Sequence, residues 1–173
     1  MSLTRMRAVI VLGVLVLLAV VTAGWAIARD SSGSTRIADH TPCVHSTVPF
    51  VATVPTDQST VRVNVYNATT RIGLAGEVAD QLRRLGFDVR QVGNDPLQAT
   101  VSATAQIRYG PRGAGAAQML RAQFPGSEGH LVSRPDARVD VVLGMLYDHV
   151  ATEAEYQQEL RRLGRPVRPP QLC

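Results

Sequence analysis

Four residues in this sequence share the right chemistry for holding a polar ligand: Arg62, Asn64, Tyr66 and Arg108. Arg62, Asn64 and Tyr66 alternate with Val61, Val63 and Val65, so they share one side of a strand. Arg108 occupies the equivalent place in Thr104-Ala105-Gln106-Ile107-Arg108-Tyr109. On an exposed sheet face, Tyr66 and Arg108 could form a platform on which a sugar stacks. An ordinary solvated face has the same composition, because antiparallel sheets often leave one side in water. Arg90, Gln106 and Asp140 would share that face.

The nucleophiles and metal ligands are sparse. The chain has two cysteines, Cys43 and Cys173, and four histidines, His40, His45, His130 and His149. His40, Cys43 and His45 are crowded together, and neither remaining histidine brings a companion that fits zinc spacing, so no metal is expected. In an oxidising compartment Cys43 and Cys173 most simply form one disulfide, joining the segment before the domain to the tail. Pairing between chains is the alternative. Asp148-His149 has no nucleophile placed beside it, and neither G-x-S-x-G nor H-E-x-x-H occurs. Gly110-Pro111-Arg112-Gly113-Ala114-Gly115 fails both the P-loop and dinucleotide patterns and is expected to be a turn and helix start. No cofactor and no catalytic role are expected.

The net charge of +4 suggests nucleic acid until its location is considered. All 18 basic residues are arginine, and Arg5, Arg7 and Arg29 bracket an apolar run. Residues 30–173 hold fifteen arginines and fourteen acidic residues, which leaves them close to neutral. A near-neutral domain is a poor electrostatic match for DNA or RNA.

Residues 8–28 contain no charge and are mostly Val, Leu, Ile and Ala. As a helix they would extend about 31 Å, enough to cross a bilayer. Arg5 and Arg7 favour a cytoplasmic N-terminus, which places the remainder outside the cytoplasm as a single-pass plasma-membrane protein. A cleaved signal peptide ending near Ala26-Ile27-Ala28 is the competing reading, but the run exceeds the usual signal core of roughly 7–15 residues. The expected organisation is an anchor over 1–29, a linker over 30–60, a domain over 61–145, and a helix and tail over 146–173. Val48, Phe50, Val51 and Val54 are apolar enough for the end of the linker to lie along the domain.

The domain reads as strand 61–67, helix to Leu85, strand 87–90, strand 104–109, helix to Phe124 and strand 138–144. Thr69 or Thr70 is expected to cap the first helix, and Gly86 to end it. His130-Leu131-Val132-Ser133 adds a short extended piece, and Ala151–Gly164 a polar helix. The fold class is α/β (α+β), with a β-α-β-β-α-β sheet of split, ferredoxin-like plan. Two helices would pack on one face, preceded by a single transmembrane helix.

Val63-Asn64-Val65-Tyr66-Asn67-Ala68-Thr69, Gly73-Leu74-Ala75, Gly86-Phe87-Asp88-Val89 and Val139-Asp140-Val141-Val142-Leu143-Gly144 together resemble the LytR C-terminal domain family. Its motif falls on Asn67, Thr69, Gly73, Leu74, Ala75, Gly86 and Gly144, and Ala68 stands where the family usually has glycine. These positions read as turns and core. In many relatives the domain follows a LytR-CpsA-Psr phosphotransferase that attaches glycopolymers to peptidoglycan. Residues 29–60 could not supply that enzyme. The resemblance therefore implies a non-enzymatic role in the cell envelope, with a wall glycopolymer or an envelope protein as partner. The alternative is an accessory subunit acting in trans with such a phosphotransferase.

Overall fold

The structure, a computed structural model, describes residues 48–169. The expected anchor over 8–28, most of the linker, and both Cys43 and Cys173 lie outside the described residues. No helix among the described residues is long and apolar enough to cross a membrane.

Five strands and three helices form a mixed α/β fold. In chain order they are β1 (Arg62–Asn67), α1 (Leu74–Arg84), β2 (Asp88–Asn94), β3 (Ala105–Tyr109), α2 (Ala114–Gln123), β4 (Glu128–Leu131), β5 (Val139–Leu143) and α3 (Glu153–Leu163). The sheet order is β2-β1-β5-β3-β4. β1 pairs in parallel with β2 and with β5, β3 pairs in parallel with β4, and β5 meets β3 antiparallel.

This order corrects the split, ferredoxin-like expectation. Each helix crossover returns the chain to a strand directly beside the one it left, and β5 enters between the two units. Its position has a burial cause. Val139, Asp140, Val141, Val142 and Leu143 are all buried, as suits the middle strand of five. Period-two alternation reports which face is buried, not which strand is the neighbour, so both plans leave the same local pattern.

The expectation of helices on one face agrees with the packing. Val63 and Val65 on β1, Ala105 and Ile107 on β3, and Val139, Val141 and Leu143 on β5 share one cluster with Leu74, Val78 and Leu82 of α1 and Met119 and Leu120 of α2. Truncating a side chain such as Leu82 to alanine would cost about 2–5 kcal/mol.

α2 is buried nearly all round, because more than the sheet covers it. α3 lies against it: Gln118 Nε2 donates to the Leu163 and Gly164 carbonyls at 3.1 and 2.9 Å. Gln123 Nε2 donates to the Ala151 carbonyl, and Ala151 N–H donates to the Gln123 carbonyl. Tyr156 of α3 is buried in the common core. α3 is thus part of the folded unit rather than a separate tail. The end of the expected linker also packs on the domain. Val51 N–H donates to the Pro111 carbonyl, and Gly115 N–H donates to the Val51 carbonyl, both at 3.0 Å. A Cβ on Gly115 would lie 1.8 Å from the Thr53 carbonyl oxygen, so only glycine permits this crossing.

Candidate functional site

The motif residues sit where the chain turns out of β1. Asn67 Oδ1 accepts from the Thr69 amide at 2.9 Å and the Thr69 hydroxyl at 2.8 Å. Asn67 Nδ2 donates to the Arg71 carbonyl at 2.7 Å, and the Arg71 amide donates to Thr69 Oγ1. These bonds occupy Thr69 in the turn, which corrects its expected role as helix cap. Gly73 takes the N-cap place of α1 instead, at φ 81°, in a region that L side chains rarely enter. Leu74 and Ala75 are buried, and Gly86 ends the helix region at φ 94°. Gly144 is required by contact: a Cβ there would lie 2.1 Å from the Ala103 carbonyl oxygen. The seven motif positions therefore build turns and core.

The opposite face of the sheet is partly roofed. Two loops, 95–104 and 132–138, contribute to a groove with Asn64, Tyr66, Arg108 and Asp140 in its lining. Arg62, Asn64, Arg90, Gln91 and Arg138 line an adjoining cavity of about 620 Å³. Arg62 and Asn64 thus line the cavity, Asn64, Tyr66 and Arg108 line the groove, and Asn64 is common to both.

Their availability differs, and the expectation of an open platform is corrected at its centre. Arg108 is buried and bidentate to Asp95, Nη1 to Oδ1 at 2.7 Å and Nη2 to Oδ2 at 3.0 Å. Its Nε donates to Gln106 Oε1. It holds the loop after β2 onto the sheet, so its first role is structural. Asp95 also accepts from the Ala99 and Leu97 amides. Burial alone would raise the Asp95 carboxyl, but Arg108 and these two amides outweigh it, and its pKa lies below the ordinary carboxylate value. Asn64 is buried too, and its Nδ2 donates to Asp140 Oδ1 at 2.8 Å. Asp140 Oδ2 accepts from Arg134 Nη2 at 2.5 Å. Tyr66 donates to Gln91 Oε1 at 2.8 Å, and burial followed by the nearby Asp140 charge raises its pKa. The phenol therefore stays protonated at neutral pH.

Arg62 is exposed and forms no ion pair among the described residues. Arg90 is paired only with Asp88, and Arg138 only with Asp136, both at exposed positions. Such pairs are worth little and exchange readily.

Gln91, Arg134 and Arg138 are lining residues that reading the sequence missed. Register explains this. Val63 lies opposite Val139, which sets Arg62 beside Arg138, and this is visible only once β1 and β5 are known to pair. Gln91 depends on an irregularity: Val63 pairs with Val89 but Asn64 pairs with Gln91, so Arg90 is an extra residue in β2. That bulge lets two consecutive side chains, Arg90 and Gln91, line the same cavity.

Elsewhere, His149 contacts Asp148 at 3.0 Å and Glu155 at 3.3 Å, all exposed. Among the described residues no group of three His, Cys, Asp or Glu side chains could hold a metal ion.

The family model described as LytR cell envelope-related transcriptional attenuator matches residues 60–147. The chain belongs to this LytR_C family. It is 33% identical over 111 residues to the cell envelope integrity protein Cei of Mycobacterium tuberculosis, covering 63% of this chain and 51% of Cei. It thus spans about half the length of that relative. The crystal structure of the soluble domain of a conserved hypothetical secreted protein from Mycobacterium marinum is 32% identical, with a TM-score of 0.56. That match covers 64% of this chain and 76% of the solved one. The family match ends at 147, so α3 and the 48–59 crossing are folded additions to the matched LytR_C segment. Membership and the likeness to Cei support an envelope-associated role.

Proposed function

We propose that this chain is a membrane-anchored, extracytoplasmic, non-enzymatic module that supports cell envelope integrity by holding wall glycopolymer or an envelope protein. The observation that carries this reading is the concavity on the sheet face away from the helices, lined by Arg62, Arg90 and Arg138 against one acidic side chain, Asp136. Three cationic side chains around neutral amides make a place to bind, not a nucleophile with its base. An envelope-protein partner has its own support. Ile72, Met145 and Leu146 are large apolar side chains left exposed in the loops at the C-terminal ends of β1 and β5, Ile72 completely.

Photo-cross-linking in intact membranes tests the reading, with the cross-linker placed at Arg62 in one strain and at Ile72 in another. Capture of wall polymer, or of an envelope protein such as a wall-ligating phosphotransferase, is the expected result. Capture of cytoplasmic components alone, together with unchanged drug and detergent sensitivity on deletion, would overturn it.

A further inference from the structure

The cavity lined by Arg62, Asn64, Arg90, Gln91 and Arg138 contains two polar atoms with no partner. Asn64 Oδ1 and Arg138 Nε are both closed to solvent and make no hydrogen bond. Buried polar groups in native proteins are almost always satisfied, so two orphans on side chains that line one cavity call for an explanation. The Asn64 amide cannot simply turn over. Its partner Asp140 is a carboxylate, which only accepts, and must face Nδ2. Asn64 Oδ1 is thereby fixed as an acceptor with no donor among the described residues. Arg138 Nε is a donor that needs an acceptor.

We propose that this cavity binds an acidic sugar unit, one carrying a carboxylate or a phosphate. The sugar's acid group lies among Arg62, Arg90 and Arg138, and a small shift of the Asn64 side chain on binding brings Oδ1 to a sugar hydroxyl or amide N–H. This rests on the glycopolymer reading above and names the chemistry and the site. The volume of about 620 Å³ lies within the range of small-ligand sites, roughly 300–1,000 Å³. The neutral lining suits hydroxyl groups: Thr60, Asn64 and Gln91 are polar, and Ala137 is the one apolar side chain among the eight lining residues. Within this cavity an acidic peptide would find Ala137 as the one apolar residue, and a nucleic acid no aromatic platform for its bases. The charge is also placed for capture rather than stability. Arg62 has no partner to give up, and Arg90 and Arg138 give up only solvent-exposed pairs.

The test is a heteronuclear NMR titration of the full chain. The probes are N-acetylmuramic acid, N-acetylglucosamine 6-phosphate, neutral N-acetylglucosamine and inorganic phosphate. One or both acidic sugars should shift the Asn64, Gln91 and Arg138 amides, and which one does so separates carboxylate from phosphate. The neutral sugar and phosphate alone should bind at least about tenfold more weakly, the worth of one charge-assisted hydrogen bond. Arg62→Gln, at an exposed position, should lose a similar factor without altering the fold. Asn64→Ala should lose affinity for the sugars but keep whatever weak affinity remains for phosphate. Inorganic phosphate binding as tightly as the sugars, or Arg62→Gln binding like the wild type, would overturn the proposal. Absence of sugar binding, alongside capture of an envelope protein from Ile72, would overturn this site and leave the broader reading standing.

Discussion

Arg108 and Asp95 meet side-on across the outer face of the sheet, with two parallel hydrogen bonds and side chains only 7% and 1% exposed. The pair ties the loop after β2 to β3, and it lies beneath the groove. Removing one partner would leave the other charged and buried. Arg108→Met is therefore expected to cost about 3–5 kcal/mol, read from urea unfolding. Arg62→Gln, on the same face but exposed, should stay within about 0.5 kcal/mol of the wild type. Equal effects would contradict the division between structural and binding arginines.

Acid should expose the same pair. The folded-state pKa of Asp95 lies below its unfolded value, so its stabilising contribution is present above the unfolded value, about 4, and is lost as pH falls through the folded pKa. Urea midpoints should fall with pH in that window. Asp95→Asn should flatten that part of the profile while lowering stability at neutral pH. An unchanged profile in the variant would assign the acid sensitivity elsewhere.

Two glycines should respond in opposite directions to alanine. Gly144→Ala drives a methyl group into the Ala103 carbonyl and Val101, and overpacking of this kind costs about 1–3 kcal/mol. Gly76 lies inside α1 with nothing within 4 Å of the position a Cβ would occupy. Gly76→Ala should stabilise by about 0.5–1 kcal/mol through helix propensity. Thermal unfolding of the two variants would show a fall and a rise.

At the start of α3, Thr152 and Glu155 cap each other reciprocally, and Glu155 also contacts His149. Thr152→Ala should cost about 1 kcal/mol. Hydrogen bonds to Asp148, then to Glu155, raise the His149 pKa above its ordinary value. A raised folded-state pKa gives stability that is complete below the unfolded value, about 6.5, and lost as pH rises through the folded one. An imidazole NMR titration should show His149 titrating above that value, and Glu155→Gln should move it down.

The sequence conveys faces well and neighbours poorly. Alternation at Val61, Val63 and Val65 identifies the buried side of β1, and the stripe of Val78, Ala79 and Leu82 identifies that of α1. Both rest on residues close in the chain. β4, Glu128-Gly129-His130-Leu131, has no apolar alternation, and the sequence suggests only a short extended piece two residues further along. The pairing of Arg108 with Asp95 joins residues 13 apart through a loop that carries no periodicity. Arg138 joins the cavity through the β1–β5 register, and Gln91 through a bulge. Thr69 has the right type for a cap, but Asn67 reaches it first. The folded unit also extends past the motif on both sides, because Tyr156 and the Val51 crossing add cover that the motif itself does not encode.

That crossing has a mechanical consequence. Val51 alone carries the two backbone hydrogen bonds that fasten the segment to the start of α2, one to the Pro111 carbonyl and one from the Gly115 amide. A pull from the N-terminal side would reach these two bonds before any strand, because β1 lies further along the chain and remains flanked by β2 and β5 in the sheet. The segment would peel away as a slack lead before tension reached any strand. Load from the N-terminal side would then be taken up by this crossing and spare the groove.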